Sequence, residues 1–554
     1  MPGTEMTEPS STSETMREEL LSKRTIGLII LGFVALGLLL RTLRYALCFP
    51  LYGDEGSLAA NFLDRDFAGL LRPLDYGQIA PLGFLWAELL VVKLAGFSEY
   101  TLRFIPYLAS IASVGLFAML AKRFCGNTIA AALAIAVFGV SHVLIRYAAE
   151  VKPYSIDLLV SLMILYMALR VIERDKETYL LWFMALLVPL AVLFSLPSLF
   201  VIAGVLFTLG VRFIADRDTR ILLPSIGLAL STFVSFAVYY VFFLSPHHEF
   251  HKEGMTTFWA GAFPPIDNPF HFTWWFADIH TGRLMAYPAG DKNGSSVISF
   301  AFFVMGAMTL WKSGRRPAML LMLSPFLMTF AAALLHRYPY GGSARIVQHL
   351  APIVCLFVGI GINQLIQWCA QPVQRLRGWS TSFAALALLG MGFGIADSMK
   401  PYIEQVDPKT RNFCREFWKE QSDNTALVVL TSFDHDRTTG ILHREATWRC
   451  YQHIFAPHSV FCSTPPSLTG RTEPFEKVVV HLAANKLIDV KRLQQAENWV
   501  SNFTDDHAGT KRDDLMLNNE NQLHNERVHV VTLHPASPST GSLGQESSGK
   551  TYRR

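Results

Sequence analysis

The stretch FPLYGDEGSLAANFL, residues 49–63, follows an apolar run, residues 26–40, that with its flanks is long enough to cross a bilayer. Two carboxylates, Asp54 and Glu55, stand side by side just past the end of that run. Charge beside hydrocarbon is expensive, so a carboxylate pair at a membrane boundary is a functional candidate. The competing reading is a solvated turn, because Tyr-Gly-Asp-Glu-Gly has turn composition. The choice depends on what else the chain brings to the same depth.

The composition makes this a membrane question. Hydrophobic residues are 51% of the 554 and charged residues only 17%, against about 25% charged in soluble domains. The mean hydropathy is +0.30. A formal net charge of +4 is small for this length and does not argue for nucleic acid. Seven cysteines show no CxxC spacing and no Cys/His quartet, which argues against a zinc site. Cys414, Cys450 and Cys462 fall in the polar C-terminal part, where one disulfide would require an oxidising compartment.

The hydropathy pattern predicts an α-helical multi-pass protein with about eleven spans. They fall near 25–46, 102–121, 128–146, 155–172, 179–195, 198–213, 221–244, 296–311, 318–335, 346–366 and 379–397. Residues 1–24 read as a disordered cytoplasmic tail, and Lys23 and Arg24 precede the first span as in an uncleaved signal anchor. The alternate loops KRFCGN, RVIERDKE, RFIADRDTR, WKSGRRP and QRLRGW are short and basic, as inside loops should be. The long segments, 47–101, 245–295 and 398 to the end, then lie outside. In the first, residues 58–71 and 82–95 predict two helices lying in the outer surface. The second is dense in aromatics and reads as a loop resting on headgroups or over a cavity. Residues 401–530 read as a small α/β domain, with ALVVLTSF and EKVVVHL as strands and KRLQQAENWVSNF as a helix. Residues 531–554 read as a disordered tail.

Two other short outer links carry charge to the level of Asp54. IRYAAEVKPYSID, residues 145–157, brings Glu150, Lys152 and Tyr154. HRYPYGGSARIVQH, residues 336–349, brings Arg337 and Arg345. Any one of these bases alone could be a snorkelling side chain; acidic and basic groups from three links are not explained that way. A carboxylate can act as general base on an acceptor hydroxyl or amine. Arg and Lys can hold a phosphate as it departs with its charge. Together they describe group transfer from a lipid phosphate.

With these motifs in order, residues 25–400 resemble the GT-C glycosyltransferases, specifically the bacterial branch related to protein O-mannosyltransferases and the lipid A aminoarabinose transferase. LYGDEGSLAANF resembles the first-loop motif, and LDYGQIAPLGFLWAELL a Q-x-A-P-x-x-F stretch. RYAAEVKPYSIDLL resembles an E-x-R-P-Y stretch, with Lys152 where Arg is usual, and HRYPYGGSARIVQHLAP the late R…P segment. The resemblance implies Asp54 as catalytic base, Glu55 as its supporting partner and Glu150 as a further acid. It implies Lys152 and Arg345 for phosphate, with Gln78 and Tyr154 lining the site; Arg337, from its place in the late outer link, is a further substrate-binding candidate. It also implies a polyprenyl-phosphate sugar as co-substrate, membrane lipids as surroundings, and a lipid, glycan or protein acceptor. The bacterial inner membrane is the implied location, with the C-terminal domain periplasmic. Some relatives use a divalent metal, for which no cage is evident. A secondary transporter or lipid flippase is the alternative, although related halves and broken midplane helices are its usual marks. His247, His248 and His251 lack HExxH spacing and read as a polar loop. Asp434, His435 and Asp436 read as a loop after a strand, and the sequons at Asn293 and Asn502 matter only in a glycosylating host.

Overall fold

The computed structural model describes residues 11–173, 177–246, 258–369, 371–421, 425–431, 439–462, 477–485, 511–517 and 524–532. Two compact units divide the chain, Met1–Pro408 and Lys409–Arg554. His247, His248, His251, Asp434, His435, Asp436, Asn502, the helix expected over 491–503 and the tail 533–554 lie outside the described residues.

The first unit is a helical bundle. In chain order it comprises α1 (Ser11–Ala46), α2 (Asp54–Ala59), α3 (Leu82–Ala95), α4 (Phe104–Phe124), α5 (Thr128–Val140), α6 (His142–Arg146), α7 (Tyr154–Glu173), α8 (Tyr179–Phe194), α9 (Ser198–Asp216), α10 (Leu222–Tyr239), α11 (Pro269–Thr281), α12 (Val297–Lys312), α13 (Arg316–Leu334), α14 (Ala351–Gln367) and α15 (Pro372–Met399). Among the described residues, eight helical stretches are long and apolar enough to cross a membrane; α5 and α6, bent by 47° at one break, give a ninth. The two shorter apolar helices, α8 and α12, occupy the remaining places where spans are expected. The chain is therefore a multi-pass helical membrane protein. α1 begins at Ser11, inside the segment expected to be a tail.

Small residues let the helices approach, because in lipid association rests on close packing rather than on hydrophobic drive. A Cβ on Gly306 of α12 or Gly361 of α14 would collide with the backbone of the facing helix, at Phe357 and Phe302 respectively. Gly37 of α1 and Gly139 of α5 touch in the same way. α14 is the centre of the bundle, whereas α10 and α15 turn most of their surface outward. Between α5 and α6 the chain breaks at Ser141. There the guanidinium of Arg41, wholly buried in α1, donates to the carbonyls of Phe138 (3.3 Å) and Gly139 (3.0 Å). Those carbonyls lose helical partners at the break, and a cation at a helix C-terminus also meets its dipole favourably.

The first loop departs from expectation. Residues 58–71 form no single helix: α2 is followed by a short turn of helix at Asn61–Asp64 and a 3₁₀ turn at Gly69–Leu71. The chain is extended at Arg65. Asp66 Oδ1 takes the amide of Gly69, and the Arg65 guanidinium donates to the carbonyls of Gly69 and Arg72. These side chains offer the backbone local partners that compete with a helical ladder. Residues 82–95 do form a helix, α3.

The second unit holds a five-stranded sheet in the order β2-β1-β3-β5-β4. The strands are β1 (Thr425–Thr431), β2 (Val460–Cys462), β3 (Lys477–Asn485), β4 (Lys511–Leu517) and β5 (His524–Thr532). β1 pairs in parallel with β2 and β3; β5 pairs antiparallel with β3 and β4. β1 and β3 fall on the two apolar stretches that read as strands. Cys414, Cys450, Trp418, Trp448 and Tyr451 are buried.

Candidate active site at one end of the bundle

The two carboxylates that open the sequence have different surroundings. Gly53 takes a positive φ of 40°, which an L side chain rarely adopts, and so turns the chain from α1 into α2. The Glu55 amide donates to the Tyr52 carbonyl (2.8 Å) and Glu55 Oε2 accepts from the Tyr52 amide (3.1 Å). This reciprocal pair closes the first turn as a capping box does.

Glu55 is then fully engaged. Arg103, just before α4, meets it through two parallel bonds, Nε to Oε1 at 2.9 Å and Nη2 to Oε2 at 2.8 Å. Both side chains are 2% exposed. Arg103 also donates to the carbonyls of Phe49 and Pro50. Finally, Glu55 Oε1 accepts the Val151 amide at 2.9 Å. Val151 is the middle of a tight turn in which the Lys152 amide donates to the Glu150 carbonyl at 2.6 Å. Glu55 thus grips the turn between Glu150 and Lys152, and fixes where both stand.

Asp54 is held less tightly. It is 31% exposed and pairs through Oδ2 with Arg345 Nη1 at 3.1 Å. Arg345 also lies over the ring of Trp259, 5.6 Å from its centroid. Burial by itself lowers the Arg345 guanidinium, but Tyr154, Asp54 and Glu150 outweigh it and the net shift is upward. The cation stays charged.

Glu150 is the unusual member. It is 5% exposed, and its Oε2 has no hydrogen-bond partner among the described residues. Burial, reinforced by the charge on Glu55, pushes its carboxyl up to about 7, against the opposing pull of Arg345, Arg146 and Lys152. Lys152 is buried too. Its ammonium donates to Gln78 Oε1 at 2.6 Å, and its pKa is lowered by burial despite the nearby Asp54, Glu150 and Glu55. Tyr154 meets Tyr147 edge-to-face at 5.4 Å.

Thus Asp54, Glu55, Glu150, Lys152, Gln78 and Arg345, with Tyr154 beside them, come together. Arg337 does not join: its side chain is exposed beyond the end of α13. Sequence reasoning missed Arg103, whose signal was an arginine on the threshold of an apolar run. It also passed over Arg146, whose charge reaches Glu150. Among the described residues no three His, Cys, Asp or Glu side chains converge as a metal cage.

Residues 80–243, less than half of the chain, match the profile of the dolichyl-phosphate-mannose-protein mannosyltransferase family. No curated protein matches the sequence. Among solved structures, apo ArnT from Cupriavidus metallidurans is similar at 13% identity, with 91% of this chain and 97% of that one covered and a TM-score of 0.51. ArnT of the same organism bound to undecaprenyl phosphate aligns at 14% identity over 90% and 97% of the two chains, with a TM-score of 0.49. An Archaeoglobus fulgidus oligosaccharyltransferase in complex with zinc and sulfate aligns at 11% identity over 79% and 62%, with a TM-score of 0.45. The chain has the GT-C fold that its motifs resemble, and it is a multi-pass membrane protein.

Proposed function

We propose that this protein moves a monosaccharide from a polyprenyl-phosphate donor to an acceptor hydroxyl or amine on a lipid, glycan or protein. The reading is carried by one observation: a partly exposed aspartate paired with an arginine, set beside a buried lysine and a buried glutamate one oxygen of which has no hydrogen-bond partner among the described residues. Asp54 is the general base, because it is the more exposed carboxylate of the pair and it stands beside the Arg345 guanidinium. Glu55 is a positioning residue, since its bidentate partner and two backbone amides leave it no capacity for a proton. Arg345 and Lys152 bind the phosphate. In the reaction the acceptor atom bonds to the anomeric carbon as the bond from that carbon to the phosphate oxygen breaks. Asp54 takes the acceptor proton, and polyprenyl phosphate leaves with its charge met by the two cations. Glu150, with its carboxyl near neutrality, hydrogen-bonds the sugar or the acceptor.

The donor class is supported by the description of the family whose profile residues 80–243 match. The basic inside loops support an orientation with the site on the periplasmic side of the inner membrane and the N-terminus in the cytoplasm. The test is transfer from a radiolabelled polyprenyl-phosphate sugar panel to a crude membrane extract by purified protein. Label transfer by the wild type that Asp54→Asn abolishes, at an unchanged unfolding temperature, supports the reading. Equal transfer by both removes Asp54 from the chemistry.

A further inference from the structure

A second polar cluster lies one turn along α7 from Tyr154. Asp157 is 6% exposed, and its Oδ1 has no hydrogen-bond partner among the described residues. It faces Ser195, in the link between α8 and α9, and the fully buried Ser195 hydroxyl has no partner among the described residues other than this carboxyl. The segment after Arg345 supplies two more such atoms, Gln348 Nε2 and His349 Nδ1, both on side chains with at most 1% exposure. The other nitrogen of His349 is engaged with Thr329 Oγ1 at 3.0 Å, which fixes the ring and the direction of Nδ1.

The cluster is walled by aromatic rings. Phe200 lies 5.0 Å from Tyr338 and 5.9 Å from His349. Tyr338 donates its hydroxyl to the Ile346 carbonyl at 2.6 Å, which ties this wall to the strand of chain that carries Arg345.

Buried polar atoms are paired in all but a few cases, and each exception calls for an explanation. Here Gln348 Nε2 and His349 Nδ1 have no partner among the described residues, and Asp157 and Ser195 have only each other; such groups cost on the order of a few kcal/mol if nothing ever satisfies them. Their types indicate what would. A carboxylate oxygen accepts, an amide nitrogen donates, and a serine hydroxyl does both. A ligand with several hydroxyls, each able to donate and accept, matches that set. Its apolar ring face matches Phe200 and Tyr338. A phosphate does not match, because the cations, Arg345, Lys152 and Arg146, all belong to the neighbouring charged layer.

We infer that Asp157, Ser195, Gln348 and His349 form a subsite that reads the hydroxyls of the donor's monosaccharide ring, next to the cations that hold its phosphate. The inference rests on the glycosyltransfer reading and deepens it by naming the residues that choose the sugar. It also makes a stability statement. A residue kept for a ligand leaves its polar atom unsatisfied in the free protein, so removing that atom relieves a cost. A residue kept for internal structure behaves oppositely.

The experiment compares binding of undecaprenyl phosphate with binding of undecaprenyl-phosphate-linked hexoses, pentoses and aminopentoses to the full-length protein in detergent. Wild type, Asp157→Asn, Ser195→Ala and Arg345→Ala are measured, each with its unfolding temperature. In wild type at least one sugar-bearing lipid binds more tightly than the bare lipid phosphate. Asp157→Asn weakens that lipid by about tenfold, the worth of a charge-assisted bond, and Ser195→Ala by about fivefold. Neither changes the affinity for bare undecaprenyl phosphate, and neither lowers the unfolding temperature. Arg345→Ala weakens both lipids alike. The subsite is overturned if no sugar-bearing lipid outbinds the bare one. It is equally overturned if the two cluster variants leave the sugar preference intact, or lower the unfolding temperature and weaken both lipids together. If undecaprenyl phosphate fails to bind wild type at all, the glycosyltransfer reading itself fails, and with it the subsite.

Discussion

Glu55 and Glu150 are both buried carboxylates at the same end of the bundle, joined through the amide of Val151, yet they are opposites. Glu55 accepts from Arg103 twice and from two backbone amides. Glu150 keeps an oxygen with no partner among the described residues, and its carboxyl sits near 7. A buried charge that is fully paired reports on architecture, because breaking it is costly while its presence adds little reactivity. A buried acid held close to neutral and unpaired reports on chemistry. The difference assigns structure to one carboxylate and reaction to the other, although neither the residue type nor the degree of burial distinguishes them.

The sharpest way to break this comparison is to remove Arg103. Arg103→Leu leaves the buried Glu55 without its bidentate partner, and should cost about 3–5 kcal/mol of stability, read as a large fall in unfolding temperature and yield. A stable Arg103→Leu protein would mean that Glu55 is not the bracket described. Next is Asp54→Asn, expected to lower transfer about 10²–10⁴-fold, as for loss of a general base, with unfolding unchanged.

Glu150 should behave in the opposite sense to Glu55. Its raised pKa means that the folded protein binds the proton more tightly than the unfolded chain. The associated stability is therefore fully present below about 4.5 and is lost as pH rises through about 7. Thermal unfolding followed between pH 4.5 and 8 should show a wild-type decline of up to roughly 3 kcal/mol that Glu150→Gln abolishes, leaving the variant as stable as wild type at acid pH and more stable above neutrality. Superimposable pH profiles would place the carboxyl in an ordinary solvated environment. The smallest effect belongs to Arg337→Ala. As an exposed surface change it should stay within about 0.5 kcal/mol and leave transfer rates within about twofold of wild type. A large loss there would bring Arg337 into the site after all.

Much of this site was legible in the chain. Asp54, Glu150, Lys152 and Arg345 were marked by the same signal, a charge just past the end of an apolar helix on the outer side, and the structure brings all four together. Arg337 carried that signal equally well and lies apart, because the loop that bears it turns its side chain outward. Arg103 carried a weaker version, hidden at the mouth of a span. The polar members of the second cluster carried none. A serine, a histidine and an aspartate at the edges of apolar helices look alike whether they are paired or not, and the expected helix over 58–71 failed for a related reason, since side chains at 65 and 66 drew the backbone away.

The sequence by itself determined the class of molecule and the end of the bundle at which its charges gather. Those follow from hydropathy over about 20 residues and from the composition of short links, which are local properties. The tertiary structure alone decided who pairs with whom. Arg345 lies 291 residues from Asp54, and Arg103 lies 48 from Glu55. Whether a buried carboxylate is satisfied depends on atoms brought by helices far apart in the chain, and that pairing separates the bracket from the reactive acid.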